Sequence, residues 1–253
     1  MRGPQNIWRL IRTGATFERT GAMGAVLDAF NAPKSLRVAA RILGAPFYWL
    51  GLRGDMSMPP IPRALTALGP AYIKFGQILS TRPDVVGNEI AQQLRVLQDR
   101  LPPFSAEIAK KTFLYETGVD PDEVFSEFSE PVAAASIAQV HRAKLAANGK
   151  IVAVKILRPR IERAFKTDID AFYFAARMIE FLSPVSRRLR PHDVIEHFEG
   201  VVLGELDLRL ETSAASEFAA NTKNDKGFSL PSLEWPLSSR RVMTMGWADG
   251  TPL

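Results

Sequence analysis

The sequence predicts an α+β fold, in which a helical region leads into a unit of one hairpin, further helices and two more strands. Three observations predict it. Residues 63–128 carry a helical pattern punctuated by proline. Two strand-like runs, Ser136–Leu145 and Lys150–Leu157, are joined through Asn148-Gly149, a favoured hairpin turn. Helical patterning returns at Ile161–Phe181 and Asp193–Thr222, and short extended segments, Ser229–Leu233 and Arg241–Trp247, follow. With 46% hydrophobic and 23% charged residues among 253, the composition is that of a globular protein, not of a disordered or fibrous one. The chain has no cysteine, which excludes disulfides, thiolate nucleophiles and cysteine-held metal clusters. Three histidines (His141, His192, His197) leave little room for a His-rich metal site, and no metal ligands are expected.

The first element is basic. Residues 1–60 hold eight Lys and Arg against three acids, which accounts for the whole net charge of +5. Such a start suits nucleic-acid phosphates, anionic lipid headgroups or simply a solvated face; the nucleic-acid reading rests on charge alone. No run of about 18 uninterrupted apolar residues is present, so no transmembrane helix is expected. The most apolar stretch, Leu36–Leu52, contains Arg37, Arg41, Gly44, Pro46 and Gly51. Its Phe47, Tyr48 and Trp49 suit a membrane interface better than a membrane interior. No apolar leader opens the chain, so a secretory signal is not expected, while an Arg-rich transit peptide stays open.

Gly54–Pro62 reads as a linker that closes the basic region. The helical pattern after it breaks at Gly69-Pro70, Arg82-Pro83, Leu101-Pro102-Pro103 and Asp120-Pro121, each a place where proline can open a helix at its first turn. Ser105 with Glu107 and Ile108 marks another helix start. These breaks divide the chain into 1–60, a basic helical region; 61–128, a helical extension; and 129–253, the unit with the sheet.

The strand Ile151–Ile156 carries one ammonium group. Alternation puts Val152 and Val154 on one face and Ile151, Ala153 and Lys155 on the other. A lysine is almost never buried alone, so Lys155 either reaches solvent at a sheet rim or meets an anion. Val-Ala-Val-Lys is also the form of the kinase strand lysine that holds nucleotide phosphates. Ahead of the hairpin, Pro131–Ser136 is rich in alanine where a phosphate-covering loop would use glycine. Ser136 offers a hydroxyl and the loop its N–H groups, unless this is an ordinary Ala-rich turn.

Asp193–Thr222 phases as one long helix. Phe198, Val202, Glu205 and Leu208 share one side; Leu203, Asp207, Leu210, Glu211, Ala214 and Phe218 share a second, with Asp207 and Glu211 an i,i+4 pair. Two apolar sides predict burial on both, and the acids among them would then need cations; exposed helix acids are the alternative. A partner layer is offered by Pro70–Leu79, where Lys74 and Gln77 lie three apart among Ile73, Phe75 and Ile78, and Gly76 admits close approach by another backbone.

Leu68–Gln77, Ala133–His141, Val152-Ala153-Val154-Lys155 and Glu205-Leu206-Asp207 together resemble, in order, the K-x-G-Q signature, alanine-rich loop, nucleotide lysine and E-x-D motif of the UbiB (AarF-type) family of atypical kinase-like proteins. The likeness runs from about Arg63 to Leu253. It implies the small lobe of a kinase, an antiparallel sheet plus a long helix, with a helical extension over the nucleotide cleft. It also implies ATP bound by Ala133, Ala134, Ala135, Ser136 and Lys155, and Lys155 paired with a helix acid, Glu211 being favoured. Lys74 and Gln77 would reach into the cleft, with Glu205 and Asp207 on their side.

The segment Met243–Gly250 resembles the hinge of such a lobe, which would put Met245 and Trp247 at the adenine, although Gly246 stands where the family usually has an acid. The chain stops at Leu253, so the large lobe, with its catalytic-loop aspartate, metal-binding asparagine and Asp-Phe-Gly aspartate, is expected to be absent. Mg²⁺ and phosphate transfer would then depend on a lobe supplied separately. The resemblance further implies a part in ubiquinone biosynthesis, at the cytoplasmic face of a membrane or in the cytoplasm. Ubiquinone-pathway proteins or lipid precursors would be its partners. A non-catalytic scaffold or pseudokinase using the same surfaces is the alternative.

Overall fold

The structure, a computed structural model, describes residues 3–29, 32–98, 102–182, 190–227 and 229–250. Most of the expected break between Ser183 and Pro191, together with Phe228 and the end at Leu253, lies outside the described residues. In chain order the first helices are α1 (Gly3–Thr20), α2 (Ala22–Ala29), α3 (Lys34–Gly44), α4 (Pro60–Leu68), α5 (Pro70–Ser80), α6 (Pro83–Val86) and α7 (Asn88–Leu94). Then come α8 (Ala106–Thr117), α9 (Pro121–Val124), strands β1 (Phe125–Ala134), β2 (Ala138–Leu145) and β3 (Ile151–Leu157), helices α10 (Ile161–Leu182), α11 (Pro191–Glu205) and α12 (Leu208–Asn221), and strand β4 (Val242–Gly246). None of the described helices is long and apolar enough to cross a membrane.

The chain forms two compact units: Met1–Asp99 with Glu162–Glu199, and Arg100–Ile161 with Gly200–Leu253. Each is assembled from two separate stretches. In the helical unit, proline opens α4, α5 and α6, as its fixed φ and missing N–H allow. Gly69 links α4 to α5 at φ 117°, a backbone state that L side chains rarely adopt. The core there is aromatic: Tyr72, Phe75, Phe172 and Phe198 form a chain of ring contacts with centroids 4.8 to 5.9 Å apart.

In the second unit a four-stranded antiparallel sheet has the order β1-β2-β3-β4. Gly149, at φ 70°, closes the β2–β3 hairpin, and Asn148 Oδ1 accepts from Lys150 N at 3.0 Å. Val152, Val154 and Ile156 are fully buried in one core with Phe113 of α8, Phe125, Leu145 and Val242. Ser105 caps α8, its side chain accepting from Ile108 N. The α+β class read from the sequence stands, with two corrections to its elements.

First, the helical reading does not extend to Phe128. Residues 125–134 are β1, which takes in Pro131, Val132, Ala133 and Ala134. Three register shifts interrupt its pairing with β2 and hide the alternation by which a strand is recognised. Second, Asp193–Thr222 is not one helix. It breaks at Leu206-Asp207, where the Asp207 side chain accepts from Arg209 N and caps α12. Phasing across the break loses its meaning. Of the second apolar side, Leu203, Leu210 and Phe218 are about half exposed, whereas Phe198, Val202, Leu206 and Leu208 are buried.

Candidate functional site

In the sheet unit the core lies on one face, and the other carries Ile151, Ala153 and Lys155, all half-buried. Lys155 stands in β3 between Val140 of β2 and Met243 of β4. Its Nζ donates to both carboxylate oxygens of Glu211 at 2.7 Å, from the first turn of α12. Glu211 is 49% exposed and Lys155 30%, so the pair is reachable from solvent. Chemically this is a compact cation whose position is fixed by an acid on a neighbouring helix.

The Ala-rich segment is shorter as a turn than its sequence suggests. Ala133 and Ala134 are strand residues opposite Val140 and Gln139, so the turn proper is Ala135-Ser136-Ile137. Ala135 N donates to Ala138 O at 2.8 Å. Ser136 is buried, with polar partners of its own. Arg158, just past β3, pins the turn: its Nε donates to Ala135 O at 3.1 Å, its backbone N to Ile137 O at 2.8 Å, and its Nη1 to Pro102 O at 2.9 Å. Burial lowers the pKa of this guanidinium. The sequence reading missed Arg158, although an Arg-Pro directly after the lysine strand was the available signal.

Two more polar residues were missed as supports. Gln139 and His141 alternate on β2 and are buried. The Gln139 amide donates to Phe104 O at 2.9 Å and accepts from Phe104 N at 2.9 Å, fastening the segment before α8 to β2. His141 Nδ1 lies 2.8 Å from Ser129 O, which can only accept, so Nδ1 carries the proton. Nε2 then accepts from the Gln139 amide at 2.8 Å. Desolvation holds this imidazole below its ordinary pKa.

The remaining expected residues stand on other elements. Glu205 ends α11, half-buried. Asp207, half-buried, is bonded to Arg209. Its two oxygens accept from Arg209 N, Nε and Nη2 at 3.1, 2.9 and 2.6 Å, and this hydrogen bonding holds its carboxyl below the usual range. Met245 lies opposite Ala153 in the ladder. After it, Gly246 N donates to Ser232 O at 2.8 Å and Trp247 N to Ile151 O at 3.0 Å. Those two amide donors are therefore already used within the unit.

Lys74 and Gln77 belong to α5 of the helical unit and are half-buried there. Gln77 Nε2 donates to Leu97 O at 2.8 Å, tying α5 to the 3-10 turn Arg95–Gln98. Gly76 is closely packed: a Cβ there would meet Leu65 Cδ1 and Leu97 Cδ1 at 2.6 Å, so those side chains would have to shift. The close approach is by side chains, not by another backbone.

Comparison with known proteins gives the family. Residues 96–253 match the model of the ABC1 atypical kinase-like domain. A protein of Marinobacter nauticus named "Probable protein kinase UbiB" is 39% identical over 191 residues, covering 75% of this chain and 35% of that protein. Its namesake in Pseudomonas paraeruginosa is 38% identical over 218 residues, covering 84% and 41%. The chain thus spans roughly two fifths of the length of these curated relatives. A solved structure titled as the complex of Rv3197 with erythromycin from Mycobacterium tuberculosis is 29% identical, with a TM-score of 0.48 over 73% of this chain and 46% of that one.

Proposed function

The chain belongs to the ABC1 family of atypical kinase-like domains, and from that premise we propose that its sheet unit binds ATP, with Lys155 as the cation for the phosphates. One observation carries this reading: the Lys155 ammonium, on the sheet face away from the core, is held 2.7 Å from both oxygens of an exposed carboxylate. An ammonium has three donors and no acceptor, so it can keep Glu211 and still share a donor with a phosphate oxygen. The turn Ala135-Ser136-Ile137, fixed by Arg158, covers one end of the same hairpin. The donor set suits a nucleotide phosphate. It does not suit Mg²⁺, which asks for several oxygen ligands, and we assign Mg²⁺ and phosphate transfer to the groups of a large lobe.

The relatives' name supports a UbiB-like role. On our reading the whole protein is an ATPase or small-molecule kinase that serves ubiquinone biosynthesis. It would work at an anionic membrane surface, with pathway proteins or lipid precursors as partners. Lys74 and Gln77 of the K-x-G-Q helix, with Glu205, would act in the same activity. Isothermal titration of this chain with ATP, without added metal, tests the central point. Lys155→Ala should weaken binding roughly 10- to 100-fold, the range expected for losing a charged hydrogen bond. Equal affinity of the variant and the unaltered chain would sink the assignment.

A further inference from the structure

Helix α3 is unusual in the helical unit because it is attached without being packed. Every described side chain in it is exposed except Ala40 and Gly44, which are half-buried. Yet it is rich in apolar residues: Val38 is 57% exposed, Ile42 66% and Leu43 73%. The 3-10 turn that follows, Ala45–Leu50, buries nothing fully and adds Trp49 at 72%, with Phe47 and Tyr48 also exposed. Between α3 and α2 lies a cavity of about 270 Å³ whose lining is part apolar, with Leu27 and Ala40, and part charged, with Glu18, Asp28, Arg37 and Arg41. An apolar helix left open on nearly all sides is costly in water unless something covers it.

The pattern of charge says what covers it. At 100° per residue, Val38 and Ile42 form a stripe, and Lys34, Arg37 and Arg41 lie together along one flank of it. Between Ala32 and Leu50 the sequence contains no Asp or Glu. Arg37 contacts Asp28 of α2, while Lys34 and Arg41 are exposed. An apolar stripe flanked by cations and followed by Phe-Tyr-Trp is the composition of a helix that lies in the plane of a bilayer, its stems among the acyl chains and its cations at lipid phosphates. A protein partner would have to be both apolar and acidic over the same strip; an anionic bilayer is so everywhere on its surface.

We infer that α3 and the turn after it are the element by which this chain docks on an anionic phospholipid bilayer. The inference rests on the membrane reading above and names its surface: Val38, Ile42, Leu43 and Trp49 enter the apolar layer, and Lys34 and Arg41 meet headgroup phosphates. Cosedimentation of the full chain with vesicles tests it, using phosphatidylcholine alone and phosphatidylcholine mixed with phosphatidylglycerol. Binding should be to the mixed vesicles and should fall as salt rises. Arg41→Gln should weaken it about fivefold. Ile42→Ser combined with Leu43→Ser should weaken it by at least about tenfold. These side chains contact no core, so the variants should keep the circular dichroism and thermal midpoint of the unaltered chain.

If the variants bind as well as the unaltered chain, the docking surface lies elsewhere and this inference fails while the membrane reading survives. If the unaltered chain binds neither vesicle, both fail. If it dimerises without lipid and the double variant is monomeric, α3 is covered by a second copy, and the inference also fails.

Discussion

Two buried titratable residues behave oppositely with pH, and the sign follows from which form each burial disfavours. His141 is held neutral in β2 with its pKa lowered by desolvation. Below about pH 6.5 the unfolded chain therefore takes up a proton that the folded one refuses, and stability around β2 falls as pH drops. Asp168 in α10 is 6% exposed, and burial outweighs the contacting Arg9 guanidinium, pushing its pKa up to about 6. Its folded form binds the proton more tightly than the unfolded one, so its contribution is present in acid and is lost as pH rises through about 6. Hydrogen exchange at pH 7 and pH 5, corrected for intrinsic rates, should show β2 amides losing protection in acid and α10 amides gaining it. Asp168→Asn should abolish the α10 change and His141→Gln the β2 change. A parallel loss in both elements would mean that these two groups do not set the pH response.

Among the elements, the junction between α11 and α12 decides how the Glu205-Leu206-Asp207 sequence is to be read. Asp207 is an N-cap whose oxygens are occupied by Arg209 and its backbone N–H. Asp207→Ala should cost about 1 kcal/mol of stability, and Asp207→Ser much less, because serine also caps. ATP affinity should be unchanged in Asp207→Ser, as measured by titration and urea unfolding on the same samples. A large loss of affinity with stability intact would give Asp207 a role at the nucleotide instead.

The junction also shows what the sequence could and could not convey. Helix starts at Pro70, Pro83 and Pro121, the cap at Ser105 and the Asn148-Gly149 hairpin are local, and local chemistry announces them, whereas α4 opens at Pro60, inside the stretch that reads as a linker. The alternation around Lys155 is equally local. The break at Leu206-Asp207 has neither glycine nor proline, and apolar residues continue at helical spacing on both sides, so nothing in the pattern marks it. β1 was hidden for the opposite reason, since its bulges destroy the period of two. Gln77 was legible as an unusual amide in an apolar helix, but its bond to Leu97 O, twenty residues on, was not.

Over the whole molecule, the feature no local pattern could reveal is that each unit is discontinuous in the chain. The sheet is the sharpest case. β3 ends at Leu157, and its partner β4 begins at Val242, with Lys155 opposite Met243 and Ile156 opposite Val242. Leu157 N also donates to Arg241 O, and Leu208 N to Arg240 O, so the segment that leads into β4 fixes both β3 and the start of α12. Val242 belongs to the same buried cluster as Val152, Val154 and Ile156.

A chain ending at Ile161 would keep β1 to β3 and α8, and would lose β4, α12 and the carboxylate of Glu211, along with α10 and α11 and the Phe172 and Phe198 rings of the helical unit. It would leave Ile151–Leu157, an apolar strand with one lysine, as an unpaired edge, the kind of edge along which chains associate. Such a chain should aggregate or unfold without a cooperative transition, and should bind ATP no better than Lys155→Ala. Thermal unfolding followed by circular dichroism, with light scattering alongside, gives the answer. A soluble chain with a sharp transition would show that the hairpin and α8 fold without the second stretch, and that β4 is an addition to this sheet, not a condition for it.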